Sequence, residues 1–398
     1  MNQSEVLPLN QRETLQSRLN QIQQWALIVG GAGVIISVIG ALSSREQFFQ
    51  AYLFGYLFWV SIGLGCVAAT MLHHLVGGNW SFTIRRLTES GAMTLILMAV
   101  LFIPILLGIN QLYLWTRPEL VAESELLQHK VPYLNVPFFI VRTVIYFAIW
   151  IGLAYLLNKW SAEQDETADP SLANRLRRLS APGLILYVLT VSFAGFDWMM
   201  SLEPEWFSSI YGFMFMANNF LATMAFAIIG VVLLAQYAPL SNWVSANIYN
   251  DLGNFLLAFV AFWAYIAFSQ FLIIWSGNLP EEITWYIART QGGWQWLALA
   301  LILFHFALPM VILLARWAKR QVRILTSVAA FILVLQLVAI FWLVMPAFYP
   351  FGFHLHWLDL VLPVAIGGLW LAFFSWQLKK KSLLPLHDPR FQEVPAHD

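Results

Sequence analysis

Apolar residues run almost unbroken through ten stretches of this chain, near 25–43, 48–76, 87–108, 135–157, 179–200, 209–235, 250–276, 294–315, 322–345 and 357–378. Each is long enough to cross ~30 Å of hydrocarbon at ~1.5 Å per residue of α-helix. The pattern therefore predicts an all-α polytopic membrane protein of ten transmembrane helices. Its sharpest break falls in 196–212, FDWMMSLEPEWFSSIYG. There an apolar run reaches Asp197, stops across Ser201-Leu202-Glu203-Pro204-Glu205 and restarts at Ser208. Pro204 has no backbone N–H to continue a helix, so this stretch reads as a tight junction between two spans. Residues 1–24 are polar and Gln-rich, without the short apolar core and cleavage site of a signal peptide, so the first span is expected to stay in the membrane. A polar tail, 379–398, closes the chain.

Composition fits that pattern. The chain is 60% hydrophobic and 11% charged, which excludes the soluble globular classes. Formal net charge is zero, so it carries no basic footprint for nucleic acid. The single cysteine, Cys66, excludes an internal disulfide framework, and with it Cys-ligated iron–sulfur clusters and C-x-x-C-H haem attachment within this chain. An even number of spans puts both termini on one side. The termini and even-numbered loops carry sixteen of the basic residues, including Arg12, Arg85, Arg86 and Arg390; the odd-numbered loops carry four, Arg45, Arg117, Lys130 and Arg289. By the positive-inside rule both termini face the cytoplasm, and the 196–212 junction faces outward. Basic cytoplasmic loops are also placed to contact anionic lipid.

An internal repeat follows once the spans are numbered. Tyr52-Leu-Phe-Gly-Tyr-Leu-Phe58 in span two matches Ser209-Ile-Tyr-Gly-Phe-Met-Phe215 in span six, 157 residues later, and Leu156-Leu-Asn-Lys-Trp160 matches Leu313-Leu-Ala-Arg-Trp317 at the same offset. Spans three and seven open alike, on Glu89-Ser-Gly91 and Asp251-Leu-Gly253. The repeat predicts two four-helix bundles in parallel orientation, 48–200 and 209–345, flanked by spans one and ten.

Ionisable groups inside the spans are few, and each has a structural reading beside a functional one. Glu89 and Asp251 sit near helix starts at the cytoplasmic edge, where the macrodipole favours a carboxylate; alternatively they open a proton path. Asp251, Asn254, Tyr265 and Ser269 share one face of span seven at 100° per residue, which suits a water file or interhelical glue. His305 lies mid-span eight ahead of Pro309, with Asn218 and Asn219 at similar depth; it is a buried core histidine or a relay of near-neutral pKa. Arg142 in span four needs a partner, and Asp197, Glu203 and Asp359 are the three carboxylates within reach of it. Trp198 and Trp206 have the reading of headgroup anchors at the membrane surface.

FDWMMSLEPEWFSSIYG, the following YNDLGNFLLAFVAFWAYIAFSQFLIIWSGNLPEEITWY and the HFALP of span eight resemble the polysulfide-reductase membrane-subunit (NrfD-like) family, and within it the F subunit of alternative complex III. The resemblance is strong over 196–310 and weak elsewhere. It implies a ten-helix subunit of a bacterial quinol:electron-acceptor oxidoreductase in the cytoplasmic (inner) membrane, carrying no redox cofactor itself and providing a proton-translocation path. The partners implied are a homologous membrane subunit, an iron–sulfur subunit, c-type cytochrome subunits and a terminal oxidase, with haem c, iron–sulfur clusters and quinol held on those chains. By motif position it assigns the path to Asp197, Glu203, Asp251 and His305, while Arg142, Glu89, Asp359, Asn219 and Tyr265 rest on the residue reading above. Three other readings stay open: quinol binding and oxidation on this chain, a stand-alone secondary transporter, and a scaffold.

Overall fold

The computed structural model describes residues 9–385 and 387–389, the side chains of 9–12 excepted. Arg12, Arg390 and the ends of both polar termini lie outside the described side chains. Among the described residues there is no strand, and ten helices are long and apolar enough to span a membrane. They are α1 (Leu9–Ser43), α2 (Arg45–Val76), α3 (Asn79–Leu107), α4 (Val136–Thr167), α5 (Ser171–Leu202), α6 (Tyr211–Leu234), α7 (Ala246–Gly277), α8 (Trp294–Leu314), α9 (Val322–Ala347) and α10 (Leu358–Leu378). The chain is an all-α polytopic membrane protein.

Several helices outrun their apolar stretches. α1 starts at Leu9, so the described part of the polar N-terminal segment is helix continuous with the first span. α3 starts at Asn79, because the turn at Gly77 and Gly78 uses two positive φ values that glycine adopts without strain. Arg85 and Arg86 are therefore buried inside the third span, not loop residues, and their part in the charge asymmetry is corrected accordingly. Short helices decorate the connections, among them Glu125–Lys130, capped by the Ser124 hydroxyl, and Pro280–Arg289.

α2 and α6 pack on each other at the centre; α2 also meets α3, α5 and α10, while α6 meets α7 and α9. The central crossing is close because Gly65 has no side chain. A Cβ there would stand 2.4 Å from the backbone carbonyl oxygen of Asn219 and 2.2 Å from the Thr223 hydroxyl, which itself donates to the Ile62 carbonyl at 2.9 Å. Gly65→Ile is expected to force α2 and α6 apart at a cost of at least ~1–3 kcal/mol. A thermal midpoint in detergent equal to that of the parent chain would refute this close-approach role.

Outside the centre, α1 pairs with α10. Past its buried Leu15 and Leu19, the buried positions Ala26, Gly30, Gly33, Ser37 and Gly40 are all small and recur every three or four residues. Gly30 and Gly33 lie directly against Gly368 and Ala365 of α10. Apolar burial gives little net drive between helices in lipid, so small residues that let backbones approach supply the contact. The amine of Lys379, just past α10, donates to Asn20 at 2.6 Å, so the start of α1 and the end of α10 share one end of the molecule. This is called the terminal end below, and its opposite the far end.

Candidate functional site

Polar side chains gather in the interior at three depths. At the far end, Arg142 enters from the first turns of α4 and pairs with Asp197 of α5 through two parallel bonds, Nε to Oδ2 at 2.8 Å and Nη2 to Oδ1 at 2.9 Å. Planar guanidinium and carboxylate match in this geometry. The Tyr146 hydroxyl donates to Asp197 Oδ2 at 2.7 Å, and Arg142 Nη1 donates to the Tyr133 carbonyl at 2.8 Å. The guanidinium also lies over the rings of Tyr133 and Phe138. Asp197 is fully buried. Of the three carboxylates open as partners, Arg142 takes Asp197.

Glu203 has a different cation. Arg289, at the end of the Pro280–Arg289 helix, donates to Glu203 at 2.6 and 3.2 Å and to the carbonyls of Leu343 and Trp285. It is completely buried, with its guanidinium 3.7 Å from the Trp285 ring centroid. In the sequence Arg289 has the place of a loop charge; in the structure it ends a short helix and is buried. The signal was its spacing: Trp285 and Arg289 are four apart, on one face of a short helix that opens on Pro280, Glu281 and Glu282. Trp198 and Trp206 are not headgroup anchors. Trp198 is buried among Tyr56, Phe102, Phe147 and Trp150, and Trp206 stacks on Trp285 at 5.0 Å. Asp359, at the start of α10, accepts from the His356 amide at 2.8 Å and the Gln47 amide group at 3.2 Å.

At mid-depth, Asn218 of α6 accepts from Trp263 Nε1 of α7 at 3.1 Å and from the side-chain amide of Gln336 of α9. Beside them His305 is fully buried, its ring edge-on to Trp263 at 4.4 Å, with Gln336 as a polar neighbour. His305 lies in a π-helical turn, Leu301–Ala307, immediately before Pro309. A proline cannot donate to the carbonyl four residues back, and a π turn is one way to absorb the mismatch; such turns are frequent at functional positions. Neither ring nitrogen of His305 meets a protein partner at hydrogen-bonding geometry, nor does Gln336 Oε1. Asn219, also fully buried, has the Tyr187 hydroxyl as its polar neighbour, without a well-aligned hydrogen bond.

At the terminal end, Glu89 is well inside α3, so the reading of a carboxylate favoured at a helix start does not apply. Oε1 accepts from Arg85 Nε at 2.8 Å and Ser161 Oγ at 2.6 Å, and Oε2 from Arg86 Nη1 at 2.9 Å and Lys381 Nζ at 3.0 Å. Four donors fill the acceptor positions of this carboxylate. Arg86 continues to Asp165 with a pair of bonds, at 2.5 and 2.6 Å, and Arg85 to Asp388 at 2.7 Å. Burial pushes the Lys381 amine down to about 8, and the adjacent Glu89 carboxylate opposes that fall; at pH 7 the lysine keeps its proton.

Asp251 is not held like Glu89. It is half-buried in the second turn of α7, and no ion pair forms to it among the described residues. Nor does its stripe line the interior. Asn254 and Tyr265 are exposed, Tyr265 by 65%, and Ser269 is half-buried, whereas α7 turns Leu252, Leu256, Val260 and Gln270 inward. The water-file reading of this face is corrected: the stripe faces off the chain. The terminal-end part of it is tied to the loop after α8, where Lys319 donates to Asn254 at 2.6 Å and Arg320 to Asn247.

Among the described residues no group of three or more His, Cys, Asp or Glu side chains converges as metal ligands. Fold and site together define a polytopic membrane protein with paired charges at both ends of its interior and an uncharged polar group between them. No protein-family model matches the chain, and no curated protein matches it.

Proposed function

We propose that this chain is a cofactor-free, proton-handling membrane subunit of a quinol:electron-acceptor oxidoreductase of the alternative complex III type. It would work in a bacterial cytoplasmic membrane with both termini inside, beside the homologous membrane, iron–sulfur and c-type cytochrome subunits that its motifs imply. The observation that carries the proton reading is the mid-depth group. His305, Gln336 and Asn219 bring buried polar atoms to the middle of an apolar interior, with only each other and the Tyr187 hydroxyl as near polar neighbours and no well-aligned hydrogen bond, and such atoms are ordinarily completed by water. Water at that depth, with an imidazole beside it, is what a path between the two charged ends requires. Arg142, Asp197 and Tyr146 form its far-end part, with Glu203 and Arg289 alongside. Glu89 stands at the terminal end, and Asp251 is a second terminal-end group.

The test is purification through a tag on this chain in gentle detergent, followed by optical and EPR spectra, quinol oxidation and, in reconstituted vesicles, protons released per electron. Haem c, iron–sulfur signals and quinol oxidation are expected to co-purify. His305→Leu and Asp251→Asn are each expected to lower the proton stoichiometry of an assembled complex while electron transfer persists. Recovery of this chain alone and colourless would overturn the respiratory reading. An unchanged stoichiometry in both assembled variants would overturn the path.

A further inference from the structure

The buried knot at the terminal end is built from two parts of the chain that differ in kind. Arg85, Arg86, Glu89, Ser161, Gln164 and Asp165 belong to the helices α3 and α4. Lys381 and Asp388 come from the segment after α10, which has no long helix of its own. Lys381 reaches Glu89 at 3.0 Å and also donates to the Asn158 side chain. Asp388 is fully buried; it accepts from Arg85 at 2.7 Å and lies 3.9 Å from His73 Nε2. His387 bonds the Asp165 backbone carbonyl at 2.6 Å, and Leu383 and Leu384 are buried beside these contacts.

Charge accounting separates the two parts. The whole knot holds three cations, Arg85, Arg86 and Lys381, against three anions, Glu89, Asp165 and Asp388. Without the tail it holds two of each, so the balance is neutral either way. Nor does the tail's departure leave the two charges it touches most closely, Glu89 and Arg85, without partners. Glu89 keeps Arg85, Arg86 and Ser161, and Arg85 keeps Glu89, Ser161 and Gln164. A buried charge left without a counter-charge is what normally forbids such a movement. Here the inserted unit carries one charge of each sign and leaves a complete network behind it. What its withdrawal frees is one acceptor position on Glu89, one donor on Arg85, the Asn158 side-chain oxygen and the Asp165 carbonyl, and it removes Asp388 from beside His73.

We propose that the C-terminal segment bearing Lys381 and Asp388 is a removable cap over the Arg85–Glu89 site, and that the site exchanges between this closed state and one open to the aqueous phase at the terminal end. The cap rests on the proton reading only for its purpose: there it decides whether water reaches Glu89. Its movement is a separate property and is measured separately.

The experiment uses Ser161→Cys, which places a thiol at the centre of the knot, in the full chain in membrane vesicles with the terminal end outward. The rate of reaction with a small charged thiosulfonate is read against the parent chain, whose one cysteine, Cys66, is buried. Slow labelling is expected with the tail intact. Lys381→Gln with Asp388→Asn, which keeps the knot neutral, is expected to raise the rate at least tenfold with the chain still monodisperse. Each single substitution unbalances the knot and is expected to lower the thermal midpoint more than the double one does. A second variant, Leu383→Ser with Leu384→Ser, loosens the tail without touching its charges and is expected to raise labelling as well. Unchanged labelling in both the neutral double variant and the serine variant would overturn the cap. Fast labelling combined with unaltered proton stoichiometry would leave the cap in place and count against Glu89 in the path instead.

Discussion

Arg142→Leu is expected to cost ~3–5 kcal/mol of stability, enough to deplete the folded chain from membranes. The loss comes less from the missing attraction than from what stays behind. Asp197 is fully buried in α5, and with Arg142 gone it keeps only uncharged side-chain neighbours, the Tyr146 hydroxyl and the nearby Tyr133 hydroxyl. A carboxylate in that position has no access to water and no cation within reach. Asp197→Leu strands the guanidinium in the same way, although the Tyr133 carbonyl and the faces of Tyr133 and Phe138 still hold it in part, so the smaller loss is expected there. Tyr146→Phe removes one bond and leaves the pair, for about 1.5–3 kcal/mol. The discriminating variant is the double one, Arg142→Met with Asp197→Leu. An apolar pair of similar volume removes both charges at once, and replacements of this kind are often neutral or stabilising. Recovery of the thermal midpoint in the double variant, set against loss in each single one, would establish the pair as mutually dependent. A double variant as unstable as the singles would show that the site needs its polarity for packing. Proton stoichiometry in a recovered double variant then asks whether the pair does more than hold α4 to α5.

The ten spans were legible because an apolar stretch of about twenty residues has few other uses, and because Pro204 marks a break by its own chemistry; the Gly77–Gly78 turn, after which α3 starts, was not legible as one. Pairing was legible only in part. That Arg142 needs a carboxylate follows from its depth; that the partner is Asp197 depends on how α4 and α5 face each other across 55 residues of chain. Glu203 and Arg289 show the limit more plainly. Arg289 lies in a polar connection where an arginine ordinarily meets water; its spacing from Trp285 marks one face of a short helix, but not that Glu203 lies against that face. Angular arithmetic on α7 placed Asp251, Asn254, Tyr265 and Ser269 on a common face, yet periodicity does not say which face turns inward. The apolar set Leu252, Leu256 and Val260 decides that, and in a membrane both faces are apolar enough to hide it. Arg85 and Arg86 were misplaced for a related reason: two adjacent arginines end a hydropathy window, whereas the helix around them continues because their partners on α4 and after α10 neutralise them.

The same logic makes Glu89→Gln the sharpest substitution at the terminal end. The amide is nearly isosteric with the carboxylate but carries no charge and turns one acceptor into a donor. Four donors converge on Glu89, Arg85 and Ser161 on Oε1 and Arg86 and Lys381 on Oε2, so two of them must then face an N–H₂ group, and three cations remain against Asp165 and Asp388. The expected loss is again ~3–5 kcal/mol, since a buried charge is left over and two donors meet an N–H₂ group where they met an acceptor. Lys381→Met added to Glu89→Gln removes the surplus cation and one of the competing donors together, and it is expected to recover much of that loss. A midpoint close to the parent value for Glu89→Gln alone, read by thermal unfolding in detergent, would mean that the knot is already wet and that its charges do not depend on one another. Partial rescue by Lys381→Met has a more specific meaning, because the compensating residue lies beyond the last span. It would show that the tail senses the charge state of Glu89, which is the coupling a cap needs if it is to respond to a proton arriving from within.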